Sequence, residues 1–422
     1  MKFLLLYKGK YGAALRGPEM RYAQLSAQLV DAGHEVSLAG KEGNSLGIPE
    51  QVKFVPVRDI RRLLHAFMAA EVIVLHGGGP VVLSLACLGG VLGKKIVLDS
   101  YVPHWIELEE ILLHEQRTTA RLRLLIKSYF NVMRCLLGGL AFDLNVVANQ
   151  RQLDLFRGML APFSLTQGFS RIAIIPFGCQ APGVHTRETG RQLLMDLSAG
   201  AIARDDFLIG WLGGTYGWFD LGGILEEISR SASSNPKIRM VFFGVEESRK
   251  QDICASLQEP GAENSILFLP WIDYSKRFDY WAGLDASLVW GSSGYENDYA
   301  SRTRNFDCLT LGTPIIQNAD DEWGPRLQQS GAGLVVDKEK LGATLLELSS
   351  NPEKMLRLHE SMLGLAAPFN WNRFAKKLLD LVSKSRMPLG QRLVGLSVFL
   401  LALPAIFLRF AFAVLKTISA RR

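Results

Sequence analysis

Short apolar runs alternating with helical stretches set the tightest limit on how this chain can fold. In the first half they fall at Phe3–Tyr7, Glu35–Ala39, Lys53–Val57, Val72–His76, Ile96–Asp99, Leu144–Ala148 and Ile172–Pro176. Met20–Ala32, between the first two, reads as a helix that Gly33 stops. Strands apolar on both faces and joined by such crossovers imply a parallel sheet covered on both sides. A second series runs Phe207–Leu212, Arg239–Phe243, Ile266–Leu269, Ser287–Trp290, Pro314–Gln317 and Gly333–Val336, after a polar stretch between Pro176 and Asp206. The pattern predicts an α/β chain of two Rossmann-like, doubly wound domains in tandem. A length of 422 residues suits two or three domains.

Composition narrows the class. With 48% hydrophobic and 21% charged residues, the chain is globular, with ample material for cores. Cys87, Cys135, Cys179, Cys254 and Cys308 stand singly, none at CxxC spacing. That argues against a disulfide framework or a zinc site and fits a reducing cytosol. Met1–Leu6 is too short for a signal peptide and reads as an opening strand. The net charge of +6 gathers at the C-terminus, where Ser385–Arg422 holds six basic residues and no acid. A nucleic-acid binder spreads such an excess over a folded face, so no nucleic acid is expected.

Two strand-end segments of the second series carry its chemistry. Gly213-Gly214-Thr215-Tyr216-Gly217 follows the first strand, and glycines there let the backbone approach a phosphate. The plain alternative is a tight strand-to-helix turn. In Glu296–Gly312, Gly294 and Asn297 mark a loop, Ser301 fits an N-cap, Arg302–Leu311 reads as helix, and Gly312-Thr313-Pro314 ends it. Arg302 and Arg304 then fall in the first turn, where the helix dipole disfavours cations by ~0.3–1 kcal/mol each. A diphosphate at that helix end reverses the sign, since a guanidinium grips phosphate through paired donors. Asp307, one turn on, is placed to accept hydrogen bonds from ribose hydroxyls, or else to pair with Arg304 on the helix surface. Tyr216 and Trp271 lie just past strand ends and are candidates to touch a nucleobase.

Three segments carry a family likeness. They are Gly17-Pro18-Glu19-Met20-Arg21 followed by Ala32-Gly33-His34-Glu35-Val36, then Ile174-Ile175-Pro176-Phe177-Gly178, and Asp307-Cys308-Leu309-Thr310-Leu311-Gly312-Thr313-Pro314. Over roughly residues 1–384 the chain resembles the retaining glycosyltransferases of family 4, whose fold is GT-B. The resemblance implies two Rossmann-like domains facing a cleft, with the acceptor in the first domain and the donor in the second. It implies retention of anomeric configuration, no metal, and no cofactor beyond the nucleotide diphosphate sugar itself. Gly17 and Arg21 then belong to the acceptor side, and Asp307 takes the place of the family's ribose-binding glutamate. The family's other glutamate, eight positions earlier, is here Tyr299, with Glu296 and Asp298 nearby. The family's Arg and Lys after the first strand of the second domain are missing from Gly213–Leu221. Arg302 and Arg304 stand in for them, as in a subgroup with a Ser-x-Arg-Thr-Arg-like signature. The expected domains are 1–178, 179–368, a crossover helix at 369–385 returning to the first domain, and a tail at 386–422.

On the acceptor side, Asp99 ends a strand and is followed by Ser100-Tyr101-Val102-Pro103-His104-Trp105-Ile106-Glu107. Ligands bind at the carboxyl ends of strands in open α/β sheets. Asp99, His104 and Glu107 are therefore the catalytic candidates, to orient or deprotonate an acceptor hydroxyl or to stabilise positive charge on the sugar. Helix capping by Asp99 is the bland alternative. His76-Gly77-Gly78-Gly79 matches an esterase oxyanion motif, but no Gly-x-Ser-x-Gly elbow follows it, so it reads as a strand-end loop lining the cleft.

The tail suggests a membrane. Leu393–Leu408 is uncharged over 16 residues and interrupted by Pro404. At about 24 Å as a helix it falls short of the ~30 Å hydrocarbon core. Its flanks carry only positive charge, which anionic lipid attracts. A peripheral or monotopic anchor on the cytoplasmic face is expected. Gln116–Gly138 is a second basic amphipathic segment, to be read equally as an internal helix. Together these readings predict transfer of a sugar from a nucleotide diphosphate donor to a hydroxyl of a lipid-linked or membrane-proximal glycan. The rival is a catalytically silent GT-B protein that binds glycan or nucleotide as a membrane scaffold.

Overall fold

The computed structural model describes residues 1–401 except 78–79, 164–165, 181–182, 184, 217–218, 220, 258–261 and 320, and except the side chains of 80, 81, 114, 166, 167, 262 and 263. Gly78, Gly217 and the tail beyond 401 therefore lie outside the described residues. The chain divides into two compact units, Met1–Pro176 with Asn372 onward, and Phe177–Trp371.

The first unit is built on a seven-stranded parallel sheet. Its strands are β1 (Lys2–Leu6), β3 (Glu35–Gly40), β5 (Lys53–Pro56), β6 (Val72–His76), β7 (Lys95–Asp99), β8 (Leu144–Val147) and β9 (Ile172–Ile174), in the order β5-β3-β1-β6-β7-β8-β9. Two further short strands, β2 (Lys10–Tyr11) and β4 (Glu42–Gly43), pair with each other. Between the strands run α1 (Gly17–Asp31), α2 (Ile60–Ala69), α3 (Pro80–Val91), α4 (His104–His114), α5 (Thr118–Ala141) and α6 (Gln150–Leu160). All five residues of β6 are buried, as expected for a strand covered on both faces. The strand order reverses between β1 and β6, which places Tyr7, His76 and, one strand over, Asp99 at the topological switch point.

The second unit repeats the plan with six parallel strands. They are β10 (Phe207–Trp211), β11 (Ile238–Phe243), β12 (Ile266–Leu269), β13 (Ala286–Val289), β14 (Ile315–Gln317) and β15 (Gly333–Val335), in the order β12-β11-β10-β13-β14-β15. The switch point falls between β10 and β13. The helices are α7 (Arg187–Leu197), α8 (Leu221–Ser234), α9 (Glu247–Ala255), α10 (Arg277–Trp281), α11 (Tyr295–Tyr299), α12 (Thr303–Leu311), α13 (Gly324–Ser330), α14 (Lys338–Ser349) and α15 (Pro352–Ala366). Strands β10, β11 and β13 bury Ile209, Trp211, Met240, Phe242 and Leu288 against Ile224, Leu225 and Ile228 of α8.

The chain closes with α16 (Trp371–Lys384) and α17 (Leu389–Leu401). Expected as a separate tail, residues 389–401 instead pack on the first unit, against α3 and α5. Phe399 enters the core beside Phe130, Leu137 and Ala141. Gly395 meets Ala141 so closely that an added Cβ would collide with it. Arg392, assigned by sequence to a lipid-facing basic flank, is buried. It donates to Asp143 Oδ1 at 2.8 Å and to the carbonyls of Met387 and Lys94 at 2.9 and 2.7 Å. Polarity on α17 is thus inverted: its charge points inward, while Leu393, Val394, Val398, Leu400 and Leu401 are exposed. Helix α5 is long and apolar enough to cross a membrane, yet half of it is buried inside the unit. Its Phe130, Met133 and Leu137 are core, while Leu122, Leu125 and Tyr129 face out.

Candidate functional site

In the second unit the site forms around the carboxyl end of β10. Gly213 has φ +116°, a backbone conformation that selects glycine, and a Cβ there would stand 3.4 Å from Arg304 Nη2. The carbonyl of Gly214 accepts from Trp211 Nε1 at 3.1 Å and from Arg304 Nη2 at 3.3 Å. Arg304 Cζ lies 4.7 Å from the ring centroids of both Trp211 and Phe219. Its Nη1 is buried without a hydrogen-bond partner. Burial, then the charge of Arg302, pushes the Arg304 guanidinium down to about 9. At neutral pH it still holds its proton, so this group is a cation with no counter-ion among the described residues.

Arg302 behaves differently from expectation. Helix α12 begins at Thr303 with Arg302, not Ser301, at the N-cap, and no side chain caps it. Ser301 is half-buried just outside the helix. Arg302 donates to both carboxylate oxygens of Glu296, at 2.8 and 2.7 Å, and to Asn297 at 3.0 Å, with Asp321 3.7 Å from its Nε. Glu296 of α11 and Asp321 of the loop after β14 thus neutralise this cation, whereas no ion pair forms at Arg304 among the described residues. Glu296 is likewise spent on the ion pair. Asp307 does not pair with Arg304: its Oδ1 accepts from Arg277 Nη2 at 2.9 Å and Nε at 3.3 Å. Burial raises the Asp307 carboxyl above its ordinary value, with Arg277 opposing. Thr215 is half-buried in the loop. Tyr216 and Trp271 are 47% and 57% exposed, with Trp271 lying over Gly244 at the end of β11.

In the first unit Asp99 is fully buried and both its oxygens are taken by Arg21 of α1, Nε to Oδ2 at 2.8 Å and Nη2 to Oδ1 at 3.1 Å. Arg21 also donates to the carbonyls of Ile175 and Pro176. The structure thus places the carboxylate expected to be catalytic in a buried ion pair that ties α1 to the ends of β7 and β9. Gly17 opens α1 on the same side.

Asp99 offers its carbonyl instead. His76 Nδ1 donates to it at 2.8 Å, and His76 Nε2 lies 3.1 Å from His104 Nε2. His104 Nδ1 in turn lies 3.2 Å from Glu107 Oε2. A carbonyl only accepts, so His76 carries its proton on Nδ1 and must accept at Nε2. His104 then donates there, and the chain holds one further proton between His104 Nδ1 and the Glu107 carboxyl. Burial, then the charges of His104 and Arg134, push His76 well below its ordinary value, which keeps it neutral. His104 and Glu107 are half-buried and open to solvent at the outer end. Sequence reading named all three residues but missed their linkage. It also missed Arg277 and Asp143, whose partners lie far along the chain, and read Arg134 only as one charge of the basic segment Gln116–Gly138.

No family model matches the sequence, and no curated protein does. Solved structures do match. WaaG, a glycosyltransferase involved in lipopolysaccharide biosynthesis, aligns over 91% of this chain and 100% of its own with a TM-score of 0.64 at 14% identity. The fold is GT-B. Anabaena HepE in complex with UDP-glucose follows over 91% of this chain and 99% of its own, with a TM-score of 0.61 at 13% identity. Sucrose-phosphate synthase from Thermosynechococcus elongatus covers 91% and 98%, also with a TM-score of 0.61, at 14% identity. At such identities the likeness establishes the GT-B architecture and leaves activity to the site.

Proposed function

We propose that the protein is a glycosyltransferase of the retaining, family 4 type, moving a sugar from a nucleotide diphosphate sugar to a hydroxyl of a lipid-linked or membrane-proximal glycan. The observation that carries this reading is Arg304. A buried guanidinium with no ion-pair partner among the described residues, at a glycine turn on the switch point of the second sheet, suits a diphosphate by charge and by donor geometry. HepE, which shares the fold, is a UDP-glucose complex. In this reading Gly213, Gly214 and Arg304 hold the leaving diphosphate and neutralise its growing charge, so no metal is needed. Tyr216 and Trp271 face the base. In the first unit Glu107, held by His104, receives the acceptor hydroxyl's proton. The exposed apolar side of α17, with the apolar sequence that follows it, holds the protein at the cytoplasmic face of a membrane carrying anionic lipid.

One observation favours a second reading. Glu296, three residues before the family's first glutamate position, and Asp307, at the second, are both tied to arginines, as suits a silent protein that binds nucleotide or glycan. Calorimetry with a panel of nucleotide diphosphates, followed by donor hydrolysis, separates the two. Binding with turnover supports the transferase, binding without turnover supports the silent protein, and no binding by any nucleotide diphosphate sinks both donor-site assignments.

A further inference from the structure

Arg134 lies on the inner side of α5 and is fully buried. None of its three guanidinium nitrogens has a hydrogen-bond partner among the described residues. Asp99, whose charge bears on it, is already occupied through both oxygens by Arg21. The other groups acting on Arg134 are Tyr22 and the Cys135 thiol, the latter pushed up to about 12 by burial and so uncharged. His76, on the other side, is held neutral. Burial drives the Arg134 guanidinium below its ordinary value, so the fold carries an uncompensated charge here.

The charge is aimed at a strand end. A Cβ built on Gly77 would lie 4.0 Å from Arg134 Nη1 and within that distance of no other described side chain. Gly77 has φ +69°, a conformation that favours glycine and leaves this wall bare. It follows His76 at the carboxyl end of β6, on the switch point, and the twelve-residue α3 begins three residues on. The amino end of a helix of that length adds positive potential.

We propose that Arg134, with the backbone at Gly77, forms an anion subsite that takes a phosphate group. Its planar fork of donors fits two phosphate oxygens, and the ligand supplies the acceptors that the fold lacks. Assigning that phosphate to the acceptor rests on the transferase reading; the subsite itself does not. A phosphate on the acceptor beside the hydroxyl served by His104 and Glu107 gives the first unit a substrate class, phosphorylated sugars or lipid-linked sugar phosphates.

Hydrogen exchange on the full chain tests this, with inorganic phosphate, glucose 1-phosphate and UDP as probes. Inorganic phosphate and glucose 1-phosphate are expected to slow exchange in peptides covering 72–77 and 130–137, and Arg134→Met to abolish that protection. In phosphate-free buffer Arg134→Met is expected to melt no lower than wild type, because it removes a charge without a partner. UDP is expected to protect only the second unit. A wild type with no phosphate-dependent protection at these peptides overturns the subsite. So does an Arg134→Met protein that keeps the protection. If Arg134→Met does not fold, Arg134→Lys and a tungstate-soaked wild-type crystal decide, and a crystal without anomalous density at Arg134 refutes the proposal. Protection of 72–77 by UDP reassigns the anion to the donor and overturns the acceptor assignment. Failure of nucleotide binding at Arg304 leaves the phosphate result standing, so the two readings fall separately.

Discussion

Arg302 and Glu296 form a two-point ion pair, Nη1 to Oε1 at 2.8 Å and Nη2 to Oε2 at 2.7 Å, with both side chains buried. Removing one partner strands the other, which typically costs ~3–5 kcal/mol. Glu296→Ala and Arg302→Ala should therefore lower the urea midpoint of the second unit by amounts in that range. If either variant unfolds like wild type, the pair does not hold α11 to α12.

Arg304 should act on affinity. Losing a charged hydrogen bond to phosphate is worth ~1.5–3 kcal/mol, about a 10- to 100-fold weaker nucleotide diphosphate complex. Arg304→Met, with its stem still between Trp211 and Phe219, should show that loss by calorimetry while its melting temperature stays near or above wild type. Equal affinity in mutant and wild type would remove Arg304 from the donor site.

His76 gives the first unit a pH dependence. Its folded-state value lies well below the unfolded one, so the unfolded chain binds more protons once pH falls under about 6.5. Stability should be fully present above that pH and decline below it, at up to ~1.4 kcal/mol per pH unit for one proton. His76→Gln should flatten the slope between pH 7 and 5. Denaturant titrations at several pH values measure it, and an unchanged slope in the variant would contradict the assignment.

Two variants separate packing from membrane attachment at α17. Truncation after Ser385 removes Phe399 from the core and Arg392 from Asp143, so it should destabilise the first unit by at least the ~3–5 kcal/mol typical of losing one buried Phe. Leu400→Glu, on the exposed side, should change stability by no more than ~0.5 kcal/mol yet reduce sedimentation with anionic vesicles. Undiminished sedimentation of Leu400→Glu would show that this side does not meet lipid.

The sheets were legible because parallel strands are apolar throughout: Val72–His76 and Phe207–Trp211 announce themselves without context. Side-chain pairing was not. Arg302 meets Glu296 back across a loop, and Asp99 meets Arg21 from 78 residues away. Local rules saw Arg302 as a cation misplaced at a helix start and assigned it a ligand, whereas the chain had already supplied the carboxylate. Arg304, two residues on, shows the same sequence signal with no such carboxylate among the described residues. The tail misled for a related reason. An apolar run flanked by basic residues reads as a membrane segment whichever side is buried, and only the partner Asp143 reveals that Arg392 points inward.

That pairing also bears on the order in which the molecule is made. Asp143 and Arg392 are separated by 249 positions, and the whole second unit lies between them. The second unit can therefore close while synthesis is still under way. The first must wait with an incomplete core, exposing Phe130 and Leu137, until residues 389–401 have left the ribosome. Early folding of the intervening unit shortens the loop that must then close. A nascent chain arrested before α17 is expected to be protease-resistant in its second half and sensitive in its first.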